Sequence, residues 1–267
     1  MLTDTIIRLR NLRSHILTMR RGYWQWRSFC GWRSDRIEGS SVAQETPLWK
    51  YLAEHREGRG IWKFNHYFEA YERHFGRFRG RDVHILEIGI YSGGSLQMWQ
   101  SYFGPNSRIY GVDIESKCKA YESESVQVLI GDQADRSFWK RVKQEVPNLD
   151  VVIDDGGHLP EQQIVTLEEL LPHLRPGGVY LCEDILQPFN DFSSYIYGLA
   201  QNLNTADVIE NNPANHERRA VYKASPLQSG IASIHLYPFM TVIERSSGTV
   251  AELIAPKRGT HWEPFLK

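Results

Sequence analysis

The sequence predicts an α/β fold: a mostly parallel sheet of seven strands with helices on both faces, an antiparallel pair at its C-terminal edge and an N-terminal helical extension. Three observations predict it. From Arg81 onward, short β-rich runs alternate with helical patterns, and that alternation forces parallel pairing through right-handed crossovers. Glycines or carboxylates follow the runs directly, where ligands gather in open α/β sheets. Last, the β-rich runs 231–236 and 239–243 flank Tyr237-Pro238, the pattern of an antiparallel edge pair.

The five parallel strands are read at 83–88, 108–112, 126–130, 149–153 and 179–182. Between them lie helical patterns carrying Leu96, Trp99 and Phe103, then Phe138, Val142 and Val146, then Ile164, Leu167, Leu171 and Leu174. Arg175-Pro176-Gly177-Gly178 is a helix stop leading into the fifth strand. Upstream, Phe64, Tyr67, Phe68, Tyr71 and Phe75 fall at helical spacing across 61–75, with Gly76 as the stop. Lys63 and His66 could reach a ligand from that helix, but polar positions on an amphipathic helix are more often solvated. Downstream, 189–203 reads as a helix and 211–230, with Pro213 and Pro226, as a polar loop of the length that often forms a lid. Four segments result: a basic arm and connector (1–46), a helical cover (47–80), the catalytic-type domain (81–245) and a tail (246–267).

At 267 residues, 24% charged and 41% hydrophobic, the chain suits one large soluble α/β domain with additions. No apolar run approaches the ~18 residues of a membrane span, and a cytoplasmic location is expected. Cys30, Cys118 and Cys182 form no CxxC pair, which argues against a disulfide framework or a zinc ribbon. The net charge of -1 hides an asymmetry: residues 1–36 hold eight arginines against Asp4 and Asp35, so the remainder is acidic. Trp24, Trp26 and Trp32 among those arginines leave two readings open. One is an arm for nucleic acid or an anionic surface. The commoner one is an amphipathic helix carrying Ile6, Leu9, Leu12, Ile16 and Met19 that packs on the core or a sister subunit. The acidic remainder and the lack of an Asn-Pro-Pro-Tyr motif disfavour nucleic acid as substrate.

Val151-Val152-Ile153-Asp154-Asp155-Gly156-Gly157-His158 runs from an apolar strand into two carboxylates, two glycines and an imidazole. The stretch reads either as a ligand site or as a capped strand-to-helix turn. Ile85-Leu86-Glu87-Ile88-Gly89-Ile90-Tyr91-Ser92-Gly93-Gly94-Ser95 is strand, glycine turn and helix start, which implies a nucleotide. Tyr91 stands where a dinucleotide fold needs its second glycine, so the loop suits a ligand without a pyrophosphate, and Glu87 offers an acceptor for an ammonium. Asp113 ends the second strand where a ribose diol is usually held. Asp132 and Gln133 end the third with groups for an adenine edge. Together these strand ends suit an aminoacyl adenosine. Glu183 and Asp184 end the fifth strand beside Asp155. Three converging acids raise each other's pKa unless a cation neutralises them, and hard oxygen ligands favour Mg²⁺. The alternative is a helix-capping pair.

With Glu87-x-Gly89, Asp113 and Asp132 in that order, residues 82–245 resemble the class I S-adenosylmethionine-dependent methyltransferases, which have a Rossmann-like sheet. Asp155-Gly156-Gly157-His158 followed by Glu183-Asp184 is similar to the metal-dependent sugar O-methyltransferases of macrolide and related antibiotic pathways, as is the run from Ile61 to Phe75. The resemblance implies S-adenosylmethionine bound by Glu87, Gly89, Tyr91, Ser95, Asp113, Asp132, Gln133 and Asp154, the last read as structural or cofactor-side. It also implies Mg²⁺ or another divalent cation on Asp155, Glu183 and Asp184, with His158 as general base. The implied acceptor is a hydroxyl of a small molecule, typically on a sugar, and a homo-oligomer would form through the N-terminal helices. A cephalosporin-hydroxylase-like enzyme and a non-catalytic cofactor-binding scaffold are the alternatives. Tyr91 disfavours a nicotinamide oxidoreductase. His216 and His235 rank below His158 as bases.

Overall fold

A computed structural model describes residues 46–186, 190–205, 207–210, 220–256 and 258, with scattered positions between 16 and 25. Met1–Val42 and Ala43–Lys267 form separate compact units, and the fold belongs to the second. Most of the basic arm, including Trp24, Trp26, Trp32 and Cys30, lies outside the described residues, as does His216. Among the described residues no helix is long and apolar enough to cross a membrane.

The strands are β1 (Val83–Ile88), β2 (Ser107–Asp113), β3 (Val126–Ile130), β4 (Leu149–Asp154), β5 (Leu174–Cys182), β6 (Asp207–Glu210), β7 (Ala220–Lys223), β8 (Ile231–Tyr237), β9 (Met240–Arg245) and β10 (Glu252–Ala255). Seven of them form one sheet in the order β3-β2-β1-β4-β5-β9-β8. The first five are parallel, and β9 and β8 close the edge antiparallel. This is the sheet the sequence predicts. The strand order reverses between β1 and β4, which opens a crevice beyond their carboxyl ends.

The helices are α1 (Pro47–Glu54), α2 (Tyr67–Phe75), α3 (Gly94–Phe103), α4 (Arg136–Glu145), α5 (Pro160–Leu170), α6 (Asp191–Leu203) and α7 (Pro226–Gly230). Alternation along the strands sends side chains to opposite faces. Ile85, Val151, Ile153, Val179 and Leu181 pack with α2 and α3 on one face. Leu86, Ile88, Val152, Tyr180 and Cys182 pack with α4, α5 and α6 on the other. Cys118 and Cys182 are both buried free thiols.

Four local expectations are corrected, the first being Arg175-Pro176-Gly177-Gly178, which lies inside β5 and not ahead of it. The helix read at 61–75 begins only at Tyr67, and residues 61–64 run without helical structure toward the sheet. The stretch read as a polar loop at 211–230 contains β7 and α7, the latter capped by Ser225, which accepts from the Gln228 N–H. The tail contributes β10, which joins β7 and β6 in a second, antiparallel sheet.

On the α2 face Phe75 is fully buried and its ring meets those of Tyr71, Trp99 and Phe103. Phe75→Ala is expected to cost about 3–5 kcal/mol through lost transfer energy and a residual cavity, measured by urea denaturation.

Candidate active site

The loop after β1 is built around Gly89, whose φ of 85° only glycine adopts freely and whose missing side chain would collide with the Asp155 carbonyl oxygen. The loops after β1 and β4 are therefore in backbone contact. Ile90 and Tyr91 donate their N–H groups to Asp113 Oδ2 at 2.9 and 3.0 Å, and the Glu115 N–H donates to Oδ1 at 2.9 Å. Asp113 thus shapes the glycine loop and keeps an acceptor site on Oδ1 for a hydroxyl. Asp132 Oδ1 accepts from the Ala134 N–H. A cavity of about 890 Å³ is lined here by Gly89, Tyr91, Ser95, Asp113, Asp132 and Gln133, and it continues to Asp155, His158 and Asp184. Its size is that of a site for a small organic ligand.

Glu87, Asp154 and Glu183 are at most 1% exposed and lie beneath that lining. Glu87 accepts from Ser95 Oγ at 2.8 Å and from Trp99 Nε1 at 3.0 Å. Asp154 accepts from Gln133 Nε2 at 3.1 Å and from the Tyr180 hydroxyl at 3.0 Å, and burial pushes its carboxyl up to about 7. Gln133 completes that network by accepting from the Gly157 N–H at 2.7 Å. Gly156 packs on the Gln133 amide where a Cβ would not fit.

Lys63 was read from sequence as solvated, yet its side chain is 2% exposed. Its ammonium lies 2.6 Å from Asp155 Oδ2, 2.9 Å from Glu183 Oε2 and 3.7 Å from Glu87 Oε1. Burial alone would lower its pKa, but Asp155, Glu183 and Glu87 together outweigh burial and hold it protonated well above the usual lysine range. The other Glu183 oxygen accepts from the Tyr71 hydroxyl at 2.7 Å, so both of its oxygens are engaged. Burial pushes the Glu183 carboxyl upward against the pull of Lys63. Tyr67 donates to Asp184 Oδ1 at 2.7 Å. Lys63, Tyr67 and Tyr71 are the site's members that sequence reasoning missed.

His158 and Asp184 have φ values of 58° and 53°, left-handed conformations that non-glycine residues rarely hold. His158 Nε2 lies 3.7 Å from Asp184 Oδ2 and 4.0 Å from Asp155 Oδ1. Its Nδ1 is buried without a partner among the described residues. Asp155, His158 and Asp184 each offer a ligand atom within 4.8 Å of the others, a spacing and donor set that fit a divalent cation. His74, His235 and Glu244 are similarly close, but that group is internally closed. His74 is bonded to Glu244 and Tyr237, and Arg77 lies 3.1 Å from the same Glu244 oxygen.

Residues 86–185 match the family described as a methyltransferase domain. The chain carries a methyltransferase domain. Over 209 residues, 73% of this chain and 54% of the relative, it is 31% identical to the 8-demethyl-8-alpha-L-rhamnosyl tetracenomycin-C 2'-O-methyltransferase of Streptomyces olivaceus. It is 29% identical to the mycinamicin VI 2''-O-methyltransferase of Micromonospora griseorubida over 91% of this chain and 61% of the relative. The chain thus spans little more than half the length of these relatives. Among solved structures, the MycE methyltransferase of the mycinamycin pathway, in complex with Mg, S-adenosylhomocysteine and mycinamycin VI, superposes with a TM-score of 0.58 at 26% identity. That match covers 74% of this chain and 52% of the other. The matched segment ends at Ile185, so Glu87, Asp113, Asp132, Asp154, Asp155, Glu183 and Asp184 fall within it, whereas Lys63, Tyr67 and Tyr71 precede it.

Lys63→Met would leave Asp155 and Glu183 facing each other with no ammonium between them. The expected cost is about 3–5 kcal/mol, the usual penalty for breaking a buried ion pair from one side, read by denaturant unfolding in the presence of a chelator.

Proposed function

We propose that the chain is a metal-dependent O-methyltransferase that moves a methyl group from S-adenosylmethionine to a hydroxyl of a small molecule, a sugar moiety of a secondary metabolite or glycoside. The observation that carries the reading is the single cavity that joins the glycine loop and Asp113 to Asp155, His158 and Asp184. The two relatives, O-methyltransferases of glycosylated antibiotics, support the reaction class and the sugar acceptor, and they favour it over a cephalosporin-hydroxylase-like enzyme or a non-catalytic scaffold. MycE, solved with Mg and S-adenosylhomocysteine, supports the cofactor pair.

In this reading the glycine loop and Asp113 hold the adenosine half of the cofactor, with Asp132 and Gln133 at its base. Gly89, Tyr91 and Ser95 border it. Glu87 and Asp154 act from below, Glu87 by fixing Ser95 and Asp154 by fixing Gln133. Asp155 Oδ1 and Asp184 Oδ2 are the carboxylate oxygens directed toward His158, and they would hold the divalent cation with the imidazole beside them. Glu183, assigned with them by resemblance, would contribute once Lys63 released it. A bound Mg²⁺ would supply Lewis acidity that lowers the pKa of the acceptor hydroxyl, so that its oxygen can lose the proton and attack the methyl carbon. His158 receives the acceptor's proton, a transfer worth roughly 10²–10⁴-fold. The walls around it fix the line of oxygen, methyl carbon and sulfur, a contribution of up to about 7–11 kcal/mol in favourable cases.

Incubation with S-adenosylmethionine, Mg²⁺ and a rhamnosylated acceptor should give a product one methyl group heavier by mass spectrometry. An unmethylated acceptor after exhaustive incubation, with cofactor bound, counts against the reading. His158→Ala should retain calorimetric binding of S-adenosylhomocysteine while turnover falls by at least roughly 10²-fold. EDTA should suppress turnover and added Mg²⁺ restore it; full activity in chelator removes the metal from the account. Asp155→Asn should weaken Mg²⁺ binding more than Asp154→Asn, and the reverse order would overturn the assignment.

A further inference from the structure

Beside the acids lies an aromatic surface that the chemistry above does not use. Phe64 lines the cavity and is 44% exposed, and its ring is 5.6 Å from that of Phe239, also 44% exposed. Leu186, half exposed, borders the same cavity. The pair is tied to the acid cluster through Tyr67. Its ring lies 5.3 Å from Phe64, and its hydroxyl donates to Asp184 Oδ1 at 2.7 Å with the Phe239 carbonyl 3.3 Å away. The same carbonyl accepts from the Ile185 N–H at 3.0 Å.

Phe239 is costly where it stands. Pro238 and Phe239 make the two-residue turn between β8 and β9, in which Tyr237 pairs with Met240. Phe239 has φ 62°. A proline followed by a residue of positive φ asks for glycine or asparagine in the second place, and a bulky residue there is an outlier. Such strain persists where surrounding structure imposes it, and it concentrates at binding and catalytic sites. The turn is imposed from outside: His66 Nε2 donates to the Pro238 carbonyl at 2.9 Å, and the Phe239 carbonyl is held as described. Both residues nevertheless remain exposed, Phe64 in the cavity wall and Phe239 against its ring, instead of closing into the core.

We infer that Phe64 and Phe239 form the acceptor platform, against which the apolar face of a deoxysugar glycoside lies so that its hydroxyl meets His158 and Asp184. The inference rests on the proposed methyl transfer for the identity of the reacting hydroxyl. The aromatic faces select an acceptor that presents apolar C–H surface, and Leu186 extends that selection toward an apolar aglycone. A free, fully hydroxylated sugar offers less of that surface and binds more weakly.

The test is calorimetric binding of 4-nitrophenyl α-L-rhamnopyranoside to the full chain saturated with S-adenosylhomocysteine and Mg²⁺, with S-adenosylhomocysteine affinity as the control. Phe239→Gly and Phe64→Ala should each weaken the glycoside about tenfold, the scale of one lost aromatic contact, and leave S-adenosylhomocysteine within twofold. Phe239→Gly should also keep or raise Tm, because glycine relieves the turn. If Phe64→Ala disturbs cofactor binding, Phe239→Gly decides alone. Wild-type protein that does not bind the glycoside overturns the platform, as do variants that bind it like wild type. A glycoside that binds through these rings but is never methylated leaves the platform standing and counts against methyl transfer instead.

Discussion

The site depends on one electrostatic constraint. Glu87, Asp155 and Glu183 end three neighbouring strands and crowd into a water-poor pocket, and like charges that close are untenable without a cation. Lys63 supplies one. Its ammonium reaches all three carboxylates, and neutral donors also bond the buried members: Trp99 on the Glu87 oxygen that Lys63 faces, Ser95 on the other, and Tyr71 on the Glu183 oxygen that Lys63 leaves. What one lysine does not neutralise is Asp155 Oδ1 together with Asp184, the pair facing His158. Three carboxylates share that one ammonium, and burial pushes the Glu87 and Glu183 carboxyls upward against it, so the negative charge left open to the cavity is that of Asp155 and Asp184, where a divalent cation would sit.

That compensation is bought with backbone strain. Tyr91, His158, Asp184 and Phe239 are the non-glycine residues of positive φ among those described, and three of them line the cavity. Each stands where a strand has just ended and the chain must swing a side chain over the sheet edge. A regular strand end would point alternate residues to opposite faces. The left-handed step at Asp184 lets Glu183 go inward to Lys63 and Tyr71 while Asp184 stays at the cavity, so two adjacent acids serve two layers.

The sheet was legible because its signals are local and periodic. Apolar runs of five or six residues closed by glycine or carboxylate mark strand ends, and 83–88, 126–130 and 149–153 lie within a residue of the strands observed. The division of the acids was not legible. Adjacent Glu183 and Asp184 look alike in sequence, and only the φ of Asp184 separates them. Lys63 was misread because Phe64 happens to continue the spacing of Tyr67, Phe68, Tyr71 and Phe75. The Phe64 ring packs instead on Tyr67, His66 and Phe239 from backbone that is not helical, and a helix begun at residue 61 would carry the ammonium elsewhere. β7 escaped notice because Ala220–Lys223 is too short for periodicity and its partner β10 is some thirty residues away.

The two halves of the cavity consequently answer to different constraints. The half formed by Gly89, Asp113 and Gln133 is fixed by the sheet: its groups sit on consecutive strand ends and bond to one another's backbones, so a change in any one is transmitted to the rest. The half formed by Phe64, Asp184 and Leu186 belongs to segments outside the parallel core, namely the extended run before α2, the loop after β5 and the β8–β9 turn. Those segments meet through Tyr67, whose hydroxyl joins Asp184 to the Phe239 carbonyl. A fold arranged this way can vary that side by altering rings on loops only while Lys63 and the Tyr67 hydroxyl, which tie those segments to Asp155, Glu183 and Asp184, are kept.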